Sequence, residues 1–180
     1  MKNPIFDQRH IREYLVFGSI AAICYMIPVF IFLYHNKYEN LYYLYIGCTL
    51  FMPAIFYYTY KQLDQRYEGN RSISMLLAGQ LATLAGIAIA ICLVTITMLF
   101  FFPHLFSHLP ADRIVKGAPV QTQPENPGEL LLMILSTTII GNFAVGSFIS
   151  VLVAYACARD QARDKPTNLE THLPSPENRQ

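Results

Sequence analysis

LLLMILSTTIIGNFAVGSFISVLVAYAC, residues Leu130 to Cys157, carries no charged side chain. A helix of about 20 apolar residues crosses the hydrocarbon core of a bilayer, so this stretch is long enough to span one. Within it Thr138, Asn142, Gly146, Ser150 and Ala154 recur at every fourth position, which lines them up on one face of a helix. Leu, Ile, Val and Phe fill much of the remainder. In lipid such a pattern predicts a helix that presses its small, polar face against a neighbouring helix.

Three further stretches read the same way. Met75 to Phe102 carries an unbroken ridge of small residues, Ala78, Ala82, Gly86 and Ala90. Two smooth ridges let helix backbones approach closely, and consecutive spans tend to be neighbours, so the expected pairing is this ridge against the one holding Asn142 and Gly146. Tyr14 to Tyr34 is the first span, with a small step at Gly18 and Ala22 and a proline at Pro28. Its apolar run exceeds the h-region of a signal peptide and no A-x-A-like site follows, so it reads as an uncleaved anchor. Leu41 to Tyr60 is the second span. It holds Pro53, with Tyr42, Tyr43 and Tyr45 at one end and Tyr57, Tyr58 and Tyr60 at the other. Phenol rings favour the headgroup level, where the ring is apolar-facing and the hydroxyl is wet. Pro28 and Pro53 each remove an intrahelical hydrogen bond and are expected to kink their helices.

The composition agrees. Of 180 residues, 53% are hydrophobic and only 14% are charged, well below the roughly 25% of soluble domains. The expected architecture is all-α: an integral membrane four-helix bundle over 14–157, with spans at about 14–34, 41–60, 75–102 and 130–157. A basic arm, 1–13, precedes it, and Asn3-Pro4 there could cap a short helix. A charged, proline-bearing tail, 158–180, follows it and is expected to be disordered. Ser72 or Ser74 is expected to cap the third helix. Lys2, Arg9, Arg12, Lys61, Arg66, Arg71, Arg159, Arg163, Lys165 and Arg179 would lie on one side, with only Lys37, Arg113 and Lys116 on the other. By the positive-inside rule both termini are then cytoplasmic.

Candidate chemistry is sparse. The four cysteines, Cys24, Cys48, Cys92 and Cys157, fall in four different spans without a C-x-x-C pair; they read as small buried hydrophobes. His104, His108 and Asp112 have i, i+4, i+8 spacing, which a helix would bring to one face as metal ligands. Pro110 interrupts that helix, and the plainer reading is an interfacial segment whose imidazoles face water. No nucleophile motif or phosphate loop occurs, and Ser136, Thr137 and Thr138 lack a nearby base. Asn142 is the one amide near a span's centre; it is expected to make an interhelical hydrogen bond. Gln80 lies closer to the cytoplasmic end and off the small ridge. A net charge of +1 leaves no nucleic-acid footprint.

Gly69-Asn70-Arg71-Ser72-Ile73-Ser74 leads into the Gly/Ala-rich third span, and Gly141-Asn142-Phe143 runs through Ser150 toward a basic tail. That layout resembles a family of small bacterial four-span membrane proteins of unknown function. The resemblance covers the arrangement of most of the chain, leaving out the Pro-rich third connection. It implies a bacterial cytoplasmic (inner) membrane and supplies no activity, cofactor or site residue.

The expected function is therefore a non-enzymatic multi-pass protein, an accessory or assembly component of a membrane complex, without a cofactor. Its expected partners are the lipid bilayer and a membrane protein or second copy of the chain, not nucleic acid. The alternative is a small transporter-like or lipid-handling protein using the polar face around Asn142. A metal-dependent membrane enzyme built on His104 and His108 is the third class.

Overall fold

The computed structural model describes residues 8–63, 71–103, 115–119 and 127–163. Among them are four long helices and no strand: α1 (Gln8–His35), α2 (Tyr42–Leu63), α3 (Arg71–Phe101) and α4 (Pro127–Arg163). All four are long and apolar enough to cross a membrane. Their apolar residues are spread around the helix rather than gathered on one stripe, the pattern of helices whose outer faces also meet an apolar medium. Phe100 and Ile140, for instance, are 77% and 69% exposed.

In cross-section the helices form a rhombus. α1 and α4 occupy opposite corners, each packed on both α2 and α3, and no Cα atom of α1 lies within 8 Å of one of α4. α2 and α3 make direct contact across the shorter diagonal. Phe30 of α1 lies against Phe101 at the end of α3, so these two helices run parallel. Phe17 of α1 meets Tyr57 and Tyr58 late in α2, so that pair is antiparallel.

The bundle therefore has a Glu13 end and an Asn36 end. At the Asn36 end, Asn36 takes a left-handed φ of 45°, a conformation asparagine tolerates at a helix C-terminus. Its N–H bonds the Phe32 carbonyl at 2.7 Å. A 3-10 turn, Tyr38–Leu41, then leads into α2. Residues of the third connection clasp this turn: Tyr38 N–H donates to Lys116 O at 3.0 Å, and Lys116 N–H to Asn36 O at 3.1 Å. Val115 is buried beneath the clasp.

The helices outrun the expected spans. Gln8 to Glu13 of the basic arm continues α1, and Ala158 to Arg163 continues α4 into the segment expected to be disordered. Ala, Arg and Gln are good helix formers, and no proline lies between Pro127 and Pro166. α3 begins at Arg71, so Ser72 and Ser74 lie inside it and do not cap it. Pro127 opens α4, where a missing N–H costs no intrahelical bond. Asn3-Pro4 and the rest of the tail lie outside the described residues.

Candidate functional site

Close packing in the bundle depends on small residues, and these pair differently from the ridge-to-ridge expectation. A Cβ added at Gly18 of α1 would lie 2.9 Å from the Gly86 nitrogen and 3.1 Å from the Ala82 carbonyl oxygen. The Ala82–Gly86 ridge of α3 therefore faces Gly18 of α1, not the Asn142–Gly146 ridge of α4. The two backbones are near enough for Cα–H···O contacts. Gly86 also accepts the Phe51 ring, which crosses the short diagonal from α2.

α4 packs on the neighbouring stripe of α3. Gly146 seats the Thr83 side chain, and Gly79 seats Ser150 of α4 together with Thr59 of α2. Gly79 and Thr83 are one turn apart, displaced by a single residue from Ala78 and Ala82. α3 thus carries two smooth faces, one for each of two neighbours. Ala82, Gly86, Ala90, Asn142, Gly146, Ser150 and Ala154 are all buried, and Ala78 is half-buried.

The buried hydroxyls bond their own helices. Thr59 donates to Ile55 O at 2.9 Å, Thr83 to Gly79 O at 2.8 Å, Thr138 to Ile134 O at 2.7 Å and Ser150 to Gly146 O at 2.7 Å. Each spends its single proton on a carbonyl one turn earlier and keeps lone pairs free to accept. Thr138 uses one of them: the Tyr25 hydroxyl lies 2.9 Å from its Oγ1. Tyr25 is fully buried, and its ring lies against Gly47 of α2, where a Cβ would meet Cδ2 at 2.9 Å.

Asn142 differs from all of these. It is 0% exposed, and neither its Oδ1 nor its Nδ2 has a hydrogen-bond partner among the described residues. The interhelical bond expected of it is not made among the described residues. A short side chain on a helix leans toward the preceding turn, and the turns on either side of Asn142 hold Thr138 and Gly146. Gln80 does reach α4, accepting from Ser147 Oγ at 3.3 Å.

Among the described residues, the fully buried polar side chains lie in one half of the bundle. Gln62 Nε2 donates to Glu13 Oε2 at 3.1 Å, and Lys61 Nζ lies 3.3 Å from Glu13 Oε1. Thr59 and Ser150 follow inward, beside Gly79, then Thr83 beside Gly146, then Asn142, then Thr138 with Tyr25. Beyond Tyr25 the buried side chains among the described residues are apolar: Val29, Phe32, Leu33, Leu44, Val94, Met98, Leu130 and Ile134.

Against known family models, curated proteins and solved structures, the chain matches none.

The outer surface adds one feature. Between α1 and α3, toward the Asn36 end, lies a groove of about 490 Å³ lined by Ile23, Met26, Ile27, Phe30, Leu93 and Phe101, with Ile31 and Thr97. His104, His108 and Asp112 lie outside the described residues, and among those described no three His, Cys, Asp or Glu side chains cluster as metal ligands. Of the cysteines, Cys48 is buried, Cys24 half-buried and Cys92 exposed on the outer face of α3, contrary to the expectation of burial. Sequence reasoning passed over Tyr25, Gly79 and Thr83. The signal for the last two was available in their fourth-residue spacing beside the Ala ridge.

Proposed function

We propose that the chain is a non-enzymatic multi-pass protein of the bacterial cytoplasmic membrane, both termini in the cytoplasm, serving as an accessory or assembly component. On this reading the Glu13 end is cytoplasmic. The observation that carries it is the groove between α1 and α3. Its rim presents Ile23, Ile27 and Phe30 at i, i+4 and i+7, a ridge and furrow of the kind that receives another helix. Packing large side chains into such a furrow gains dispersion contacts that fluid lipid fills less completely. The small ridges are used up inside the bundle, so a partner helix would be held by these large residues.

A photo-crosslinking residue at Ile27 tests this, with one at Ile140 on the far face of α4 as control. A discrete protein adduct at Ile27 and none at Ile140 is the expected result. Adducts with lipid alone at both positions would sink the docking reading. Orientation is tested separately: an introduced cysteine near Gln121 should be labelled from outside the cell and one near Glu68 should not.

A second reading, a transporter-like protein, is favoured by one specific observation. Among the described residues Asn142 is a buried amide without a hydrogen-bond partner, and the fully buried polar residues leading to it lie in the Glu13 half of the bundle.

A further inference from the structure

We propose that the Glu13 half of the bundle encloses a hydration path that ends at Asn142, with water as the ligand of that amide. A buried amide carries two N–H donors and a carbonyl acceptor, and leaving all of them unmet in an apolar interior is costly. Asn142 meets none of these needs from protein among the described residues. Water is the smallest molecule that both donates and accepts, and it fits where small side chains leave little room.

The surroundings suit that occupant. Gly146, one turn from Asn142, seats the Thr83 side chain and so brings its hydroxyl oxygen close to the α4 backbone. Thr83 and Ser150 have each committed their proton to a backbone carbonyl, so both offer acceptor lone pairs only. Water accepting from Asn142 Nδ2 can donate to these oxygens in turn. The successive polar positions, Thr59 with Ser150, then Thr83 with Gly146, then Asn142, are spaced about one helical turn apart. Their outer mouth is marked by Glu13 and Gln62. The inner limit is set by Tyr25, whose ring crosses from α1 to Thr138, and by the apolar plug of Phe32, Leu33, Val94 and Met98. The path is closed at that end and carries no fixed charge beyond its mouth, so it admits water and does not conduct ions.

The inference rests on the membrane placement and not on the docking reading. The test is water-dependent chemistry at Asn142. In a full-length chain whose four native cysteines are replaced by alanine, Asn142→Cys is treated with the small, neutral methyl methanethiosulfonate, which enters through lipid as well as water and reacts only with the thiolate that water allows to form. Leu33→Cys in the apolar plug is the control. Asn142→Cys is expected to react faster by on the order of tenfold or more, since a dry site reacts only through local opening. Equal, slow rates at the two positions would overturn the proposal.

Wild-type protein in detergent gives a measurement free of any substitution. Hydroxyl radicals generated by radiolysis mark side chains that touch internal water. Tyr25 and Met98 are equally buried at 0% exposure, and a methionine is intrinsically the more easily oxidised. Oxidation of Tyr25 with Met98 spared is expected. Protection of both, or oxidation of Met98 alone, would overturn the hydration path while leaving the docking reading untouched.

Discussion

The Tyr25 hydroxyl donates its proton to Thr138 Oγ1 across the long diagonal of the bundle, at 2.9 Å. Either oxygen could donate by distance alone, but the Thr138 proton is already committed to Ile134 O at 2.7 Å. Tyrosine has one proton to give and threonine one lone pair to receive it. This bond ties α1 to α4, whose backbones stay apart.

The direction of that bond makes its two ends unequal. Tyr25→Phe removes the donor and leaves Thr138 still bonded to its own helix, so the cost should be near that of one interhelical bond in a membrane, about 0.6 kcal/mol and at most about 1.7. Thr138→Val leaves a buried phenol without an acceptor and should cost more, about 1–3 kcal/mol. Unfolding in a mild detergent, followed for both variants, checks the order. Equal losses would mean that the proton points the other way.

Small-residue contacts should divide by what they touch. Gly146→Ala drives a methyl group into the Thr83 side chain, and Gly18→Ala drives one into the backbone of α3. Both should destabilise by about 1–3 kcal/mol, the usual range for overpacking. Adding Thr83→Ala should recover much of the Gly146→Ala loss, because the obstacle is then gone. No side-chain truncation should rescue Gly18→Ala. A double-mutant cycle between positions 83 and 146 that shows no coupling would contradict the packing of α4 on the Gly79–Thr83 stripe.

The ion pair between Lys61 and Glu13 should matter little. Its side chains are 45% and 30% exposed, and partly solvated pairs contribute about 0–1 kcal/mol. Glu13→Gln should therefore lower stability by less than about 1 kcal/mol, and the difference should shrink further in high salt. A loss several-fold larger would assign Glu13 to something beyond joining α1 to α2.

How much of this was legible in the sequence varies with the kind of information required. Four uncharged stretches of spanning length announce four long helices, and the structure has them. The ends were less legible: Ala158 to Arg163 is polar, so hydropathy ends the span at Cys157, whereas helix propensity continues through Arg163. Partner choice was less legible still. Ala82, Gly86 and Gly146 each signal close approach, but a smooth face does not name its neighbour, and α3 has two. Thr83 escaped notice because it reads as polar, though with its hydroxyl folded onto Gly79 O it packs against Gly146 as a small side chain. Tyr25 could not be placed at all without the structure. Its reach to Thr138 depends on Gly47 leaving room for the ring, a relation between residues on three helices.

Asn142→Leu is the substitution on which the sequence and structural readings part. From sequence the amide is expected to hold an interhelical bond, so leucine should weaken the bundle slightly. In the structure Asn142 is fully buried and bonds no protein group among the described residues. Leucine removes no protein hydrogen bond there, and it keeps the branched outline of asparagine, though its two methyl groups are bulkier than the amide oxygen and nitrogen. Replacing a buried polar group by an apolar one of similar shape is nearly neutral or stabilising when no partner is left behind. Losing the amide's water rather than a protein bond, and with the added bulk offsetting part of any gain, the variant should unfold within about 1 kcal/mol of wild type. Thermal unfolding in detergent beside Asn142→Ala checks this, because alanine also removes the amide but leaves a cavity and should destabilise. A loss with leucine as large as that with alanine would show that the amide has a protein partner after all. A gain with leucine, at the expense of whatever the protein does, would mark Asn142 as a residue kept for function, since stability is commonly given up at such positions.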